Sequence, residues 1–393
     1  MRPALIGVCL CVATFARATP RRPPPPAQLD DPCVDASCAH HALDGFTSAL
    51  AAQRAGSTDH PLRVSYVGDS LTADDHITNA LRERLATLVG DGGPGFVYGL
   101  PPHPYCQHHK IARVANGGWR VHGVSSRPAM DHLLGLGGSA ESEGDASIRF
   151  VPTSSVHTVD VHYLAQPHGG ALTLLADGKE VGELATAAER KQAAFTQLVV
   201  PDGTKKLELR AHGRVRLFGA SLEAAHGAVV DNLGVVNATA KQLHDHNLPE
   251  HWVHQLAHRA PDLVVIMLGT NEAEWLPPRG TAMAEHEQLF GDLLASVRTA
   301  NPRASCLVVS PLDQLDWRDP AMPPRASVPA MVEAQHRAAL AHGCAFWDTY
   351  QWMGGKGSSA GWFKRGLVVK DYQHPTSEGA ERIAAALFAG LVH

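Results

Sequence analysis

The apolar positions of this 393-residue chain follow two different rhythms. Leu62 to Val67 is a short apolar run that ends at Gly68, and beyond it Leu81, Leu85 and Leu88 fall on one face of a helix expected over about 76–89. The same grammar resumes after residue 225. A strand over 228–231 runs into Gly234, and then come a helix around 238–258, strand 263–268, helix 284–300, strand 305–310, helix 328–342, strand 344–348 and a last helix over 377–391. Strands alternating with helices predict a parallel sheet covered on both faces. Between these parts the spacing drops to alternate positions: 147–151, 158–164, 171–176, 194–200, 206–211 and 214–222 are short runs separated by turns such as Ala176-Asp177-Gly178 and Pro201-Asp202-Gly203. That texture predicts an all-β sandwich over 115–222 inserted in the α/β domain, which then comprises 59–114 and 223–393. The sandwich's ends must lie close together so that the first two strands of the host sheet can be neighbours.

The N-terminus departs from both rhythms. Arg2, the apolar run Ala4 to Phe15 and the small-residue site Ala16-Arg17-Ala18 predict an export signal over 1–18, too short to span a bilayer. Pro23-Pro24-Pro25-Pro26 then predicts a semi-rigid linker within an N-terminal extension over 19–58. A periplasmic or secreted location follows. Five cysteines remain after signal removal, so at least one is free. Cys33 and Cys38 can close a small loop; Cys306 and Cys344 begin two expected strands and are either a bridge or two buried thiols.

Composition narrows the function classes. With 44% hydrophobic and 19% charged residues the chain can bury a large core, and a formal charge of -5 supplies no basic field, which argues against nucleic acid as a partner. Nothing beyond the N-terminus is long and apolar enough to span a membrane.

Three short motifs carry the chemistry. Ser70, in Gly68-Asp69-Ser70-Leu71, follows the carboxyl end of a parallel strand and precedes a helix, the place where open sheets put their ligands. Asn271, in Gly269-Thr270-Asn271-Glu272, follows a second such strand, and its side-chain amide can donate to an oxyanion together with backbone N–H groups of Ser70 and a glycine such as Gly234. In Asp371-Tyr372-Gln373-His374-Pro375 a carboxylate three residues before an imidazole can hold Nδ1–H while Nε2 faces the serine. Each motif alone has a plainer reading: a turn with an N-cap for Gly68-Asp69-Ser70, a cap or turn residue for Asn271, and a surface pair for Asp371 and His374. Their joint placement at strand ends points to ester hydrolysis.

Gly68-Asp69-Ser70-Leu71, Gly234, Gly269-x-Asn271 and Asp371-x-x-His374-Pro375 resemble, in order, the four conserved blocks of the SGNH (GDSL) hydrolases. The resemblance implies a flavodoxin-like three-layer α/β/α fold, Ser70 as nucleophile, Asp371 and His374 completing the triad, an oxyanion hole of Ser70, Gly234 and Asn271, and no cofactor or metal. A jelly-roll-like β-sandwich between the first two blocks is similar to the insert of the periplasmic peptidoglycan O-acetylesterases, where it resembles a carbohydrate-binding module. An acetylated glycan polymer, with peptidoglycan foremost, is the implied substrate. Lipase and acetylxylan esterase are the alternatives within the class, and a glycan-binding protein with a vestigial hydrolase core is the alternative outside it. Two departures stand out: Glu272 occupies a place where many members have Asp, and Val235-Val236-Asn237 after Gly234 lacks the second glycine that some members carry.

The remaining features have plainer readings. His251, His254 and His258 share a helical stripe, read as a solvated face with no metal assigned. Trp119, Tyr163 and Phe218 read as sandwich core rather than sugar platforms, and Gly92-Gly93-Pro94-Gly95 as a flexible loop. The sandwich is expected at the rim of the catalytic crevice, guiding a polymer toward Ser70.

Overall fold

The computed structural model describes residues 29–392, so the expected export signal and the four-proline run lie outside the described residues. Alternation along the buried strands decides the layering. Val64 and Tyr66, Val265 and Met267, Leu307 and Val309 face one side of the sheet, where they meet Phe46, Ile77, Leu81, Leu85, Ile383 and Leu387 of helices Asp44–Arg54, His76–Val89 and Ser377–Val392. Val67, Val264, Ile266 and Val308 face the other, against Trp252, Leu256, Phe290, Leu294 and Val332 of helices Pro249–Arg259, Thr281–Ala300 and Ser327–Ala341. A strand covered on both faces has no polar side, hence the unbroken apolar run of Leu263–Met267.

The parallel strands lie in the order Ala228–Gly234, Leu62–Gly68, Leu263–Met267, Ser305–Val309, Ala345–Trp347, with Leu29–Asp30 antiparallel at the far edge. This is the flavodoxin-like order, whose direction of progression reverses beside the first strand. Register completes the placement. Gly68 pairs with Gly234 on one side and Met267 on the other, so the segments that follow all three strands emerge side by side at the carboxyl edge.

Two antiparallel sheets form the sandwich. One is Lys179–Ala185, Ala171–Ala176, Leu207–His212, Ala146–Pro152 and Ile111–Asn116; the other is Gln192–Val199, Thr158–Ala165, Val215–Glu223, Gly138–Ser142 and Arg120–Gly123. Ile148, Phe150, Leu174, Leu209, Val161, Leu217 and Leu222 fill the space between them. Its strands reach beyond the expected limit at 115: Ile111–Asn116 is an edge strand, and Gly95–Tyr98 pairs with Val215–Glu223.

Three further readings are corrected. The Gly92-Gly93-Pro94-Gly95 loop is buried, not flexible: Gly92 N–H donates to Ala228 O, and a Cβ on Gly93 would stand 2.8 Å from Leu222 O. The expected helix over 238–258 is two, Ala240–Asp245 and Pro249–Arg259. Pro249 lacks an N–H and disfavours helical geometry at Leu248 before it, so it opens a new helix. The histidine stripe is solvated only in part: His254 and His258 are exposed, meeting Phe195 edge-on and stacking on it at 3.6 Å, but His251 is buried against Phe218.

Cys306 and Cys344 sit at the amino ends of neighbouring strands and form a disulfide, as do Cys33 and Cys38, while Cys106 is a buried free thiol. Tyr163 and Phe218 are buried, and half-buried Trp119 donates Nε1–H to Ser147 O at 3.2 Å.

Candidate active site

Gly68 lets the chain turn tightly at the end of its strand, since a Cβ there would stand 2.1 Å from Thr72 Oγ1. Asp69 then accepts the N–H of Leu71 at 3.0 Å and caps the short helix Ser70–Ala73. Burial pushes the Asp69 carboxyl up to about 6 against that hydrogen bond. Ser70 is held at the first helical position with its hydroxyl facing the loop before the last helix.

That loop is shaped by its own polar groups. Asp371 Oδ1 accepts the N–H groups of Gln373 and His374, both at 3.0 Å, while Tyr372 adopts a left-handed φ of 61°. The second carboxylate oxygen lies 2.8 Å from His374 Nδ1, and His374 Nε2 lies 2.7 Å from Ser70 Oγ. Burial drives His374 toward neutrality, yet the hydrogen bond and charge of Asp371, with the charges of Asp69 and Asp74, hold it above the usual histidine value of 6.5. Burial also raises Asp371, but hydrogen bonds from His374 and the loop N–H groups bring it below the carboxylate range. An acceptor for the serine proton is therefore poised beside it, with its tautomer set by a charged carboxylate.

Asn271 occupies the second turn-helix junction. Gly269 takes φ 110° and opens helix Thr270–Trp275, and Asn271 Nδ2 donates to Ala238 O at 2.9 Å. An amide nitrogen carries two protons, so this bond orients the group and leaves one donor for the cleft. Glu272, read in sequence only as a departure, accepts the Ala240 N–H at 2.9 Å, and burial raises it to about 7. It fixes the segment after the second strand against helix Thr270–Trp275.

The reading of Gly234 does not fit this geometry. Its N–H donates to Asn232 Oδ1 at 3.0 Å, and it packs against the backbone of Ala73 rather than lining the cleft. Asn237 stands in the cleft instead, in a left-handed conformation with φ 63° that suits Asn nearly as well as Gly. The position of the absent second glycine is the signal that could have found it.

Ser70, Asp371, His374, Asn237 and Asn271 open into one cleft of about 960 Å³. Tyr105 and Trp275, each 71% exposed, also line it; sequence reasoning missed both. None of the lining residues lies between 115 and 222, so the expectation of the sandwich at the crevice rim is corrected too. The loop leading into the sandwich, with Tyr105 and Gln107, takes that place because Gly95–Tyr98 anchors it beside the hydrolase sheet.

Residues 202–382 match the GDSL-like Lipase/Acylhydrolase family, a span that takes in Asn271, Asp371 and His374. A solved structure titled "Peptidoglycan O-acetylesterase in action, 5 min" superposes with a TM-score of 0.76 at 24% identity, covering 88% of this chain and 95% of that one. The second segment of the α/β domain is thus similar in sequence to GDSL-like acylhydrolases. The fold shared with that esterase extends over nearly the whole chain, sandwich included. An acetylxylan esterase from Geobacillus stearothermophilus has a TM-score of 0.31 at 19% identity, over 42% of this chain and 73% of that one. No curated protein matches the chain. The protein is a serine ester hydrolase.

Proposed function

We infer that this hydrolase removes O-acetyl groups from a cell-wall glycan, with peptidoglycan as the polymer, outside the cytoplasm. The observation that carries the reading is the unbroken chain Ser70 Oγ, His374, Asp371, at 2.7 and 2.8 Å, opening on a cleft flanked by exposed aromatic rings. Ser70 attacks the acetyl carbonyl as His374 Nε2 takes its proton, and Asp371 stabilises the imidazolium. The oxyanion is met by Ser70 N–H, Asn271 Nδ2–H and, in place of Gly234, the N–H of Asn237. His374 returns the proton to the departing sugar oxygen; water then attacks the acyl-enzyme and acetate leaves.

Several features favour a glycan over a lipid. The cleft is open to solvent, its walls carry the amide and hydroxyl side chains of Gln107, Thr239, Gln242 and Gln373, and Tyr105 and Trp275 present flat apolar faces of the kind on which sugar rings stack. The export signal expected over 1–18 and two disulfides support a location beyond the cytoplasm. Among the described residues no helix is long and apolar enough to cross a membrane.

The test is acetate release from O-acetylated peptidoglycan and acetylated xylan in parallel, with Ser70→Ala as blank. Preferential release from peptidoglycan is expected. Equal release from xylan, or preference for long-chain esters, would overturn the substrate assignment.

A further inference from the structure

The seam between the sandwich and helix Pro249–Arg259 holds a second cluster of chemically able side chains. His258 Nε2 lies 2.7 Å from Asp160 Oδ2. The same oxygen is 3.6 Å from Nε2 of His162, two residues along strand Thr158–Ala165 and therefore on the same face. All three ligand atoms lie within 4.8 Å of one another. None of the three residues lines the catalytic cleft.

The surroundings prepare these atoms to be ligands. His162 is fully buried, and its Nδ1 faces Gln255 Oε1 at 3.3 Å. With Nδ1–H donated to that amide oxygen, Nε2 offers a lone pair beside the Asp160 carboxylate, 3.4 Å from the Ser221 hydroxyl. His162 is buried and Asp160 partly so, while His258 is exposed, so an ion and its water can reach the cluster from solvent. Oδ1 of Asp160 is itself buried without a hydrogen-bond partner. His258 is fixed by its stack on Phe195, 3.6 Å apart and 7° from parallel. Tetrahedral bonds of ~2.0–2.2 Å put neighbouring donor atoms roughly 3.4 Å apart, and the separations of 2.7 and 3.6 Å bracket that spacing.

We propose that Asp160, His162 and His258 bind one divalent transition-metal ion of the zinc class, completed by water, which clamps the sandwich to the hydrolase domain. Two imidazoles and a carboxylate are ligands that such an ion prefers, whereas magnesium and calcium favour oxygen alone. The ion is structural, because its ligands come from the two packed domains and not from the site of ester cleavage.

The test uses full-length protein stripped with chelator and titrated with Zn²⁺ and Co²⁺. Expected are one equivalent of saturable Zn²⁺ binding, a raised unfolding midpoint on metal addition, and visible absorption bands of tetrahedral Co²⁺. His258→Gln and Asp160→Asn should abolish saturable binding. Gln255→Leu should weaken it roughly 10- to 100-fold through loss of the group that orients His162. Turnover of a small acetate ester in all three variants should stay at the metal-free wild-type level, which also reports that they fold. With 24 histidines in the chain, binding that persists unchanged in His258→Gln and Asp160→Asn would overturn the proposal, as would absence of saturable binding in the wild type. X-ray absorption at the zinc edge of the wild-type protein decides the matter even if a variant fails to fold: two imidazoles with oxygen donors support the site, and sulfur ligation or another imidazole count refutes it.

Discussion

At the scale of single residues, the roles proposed for the site separate by measurement. Ser70→Ala should lower turnover of nitrophenyl acetate by about four to six orders of magnitude with an unchanged unfolding midpoint; near-wild-type turnover would remove Ser70 from the mechanism. His374 must be neutral to accept the serine proton, and its neighbouring carboxylates hold it above 6.5, so kcat should rise with pH along a limb centred above that value. Asp371→Asn removes the nearest negative charge. The limb should therefore move to lower pH while its plateau falls steeply, and a limb that stays in place would show that Asp371 does not set His374. The two asparagines of the cleft are expected to differ. Asn271→Ala deletes a side-chain donor and should cost about 10²–10³ in kcat, whereas Asn237→Gly keeps the backbone N–H and the left-handed turn and should leave kcat nearly intact. Ser70, Asp371 and His374 were legible because each is held by its own chain neighbours: a cap beside it, or a carboxylate three residues away. Gly234 misled, because which N–H faces a cleft depends on the conformation of the next three residues.

Between elements, buried polar groups do the joining. Glu272 ties helix Thr270–Trp275 to the start of Ala240–Asp245, and burial lifts its carboxyl to about 7 from the ordinary 4.5. Between those two values the folded state holds more protons than the unfolded one, so this group's contribution to stability falls as pH rises. Glu272→Gln keeps the acceptor without the charge, and at pH 8 it should be the more stable form by up to ~3 kcal/mol, with the advantage vanishing below about pH 4.5. Thermal unfolding across that range checks the sign. Arg259 joins its helix to two strands, donating to both oxygens of Asp231 at 2.8 and 2.9 Å and reaching Glu223 at 2.6 Å. Arg259→Met leaves the buried Asp231 carboxylate without a cation, Glu223 keeping Arg63, and should cost about 3–5 kcal/mol in chemical denaturation. The periodicity showed that a helical segment lay over 238–258, but its division followed from Pro249, whose effect on Leu248 outweighs the apolar pattern.

For the molecule as a whole, the sandwich is not a detachable decoration. Strand Gly95–Tyr98 is shared: it pairs with Val215–Glu223, while Phe96 N–H donates to Asp231 Oδ1 of the hydrolase sheet at 2.7 Å. Glu223, at the end of the same sandwich strand, binds Arg63 and Arg259. Calorimetry should therefore show one cooperative transition rather than two. Replacing 115–222 by a Gly/Ser linker should abolish soluble folded protein and small-ester turnover together. An excised protein that still cleaved nitrophenyl acetate at the wild-type rate would show the two parts to be independent.

The sequence by itself determined what depends on near neighbours: the apolar runs of strands covered on both faces, the alternation of the sandwich, the caps and turns that hold Ser70 and His374 at element ends. The apolar runs, the alternation and the caps follow from periodicity and local hydrogen bonding, which act over a few residues, although Arg63, Ser65 and Asp231 interrupt the apolar pattern of the first two sheet strands. Only the tertiary structure decided what depends on register and packing across long separations. It set Gly68 between Gly234 and Met267, brought His374 to Ser70 across 304 positions, chose Asn237 over Gly234 for the cleft, and laid His258 against Asp160. A contact between distant segments is stabilised only when the whole core forms, and no local pattern records which partner the packing will supply.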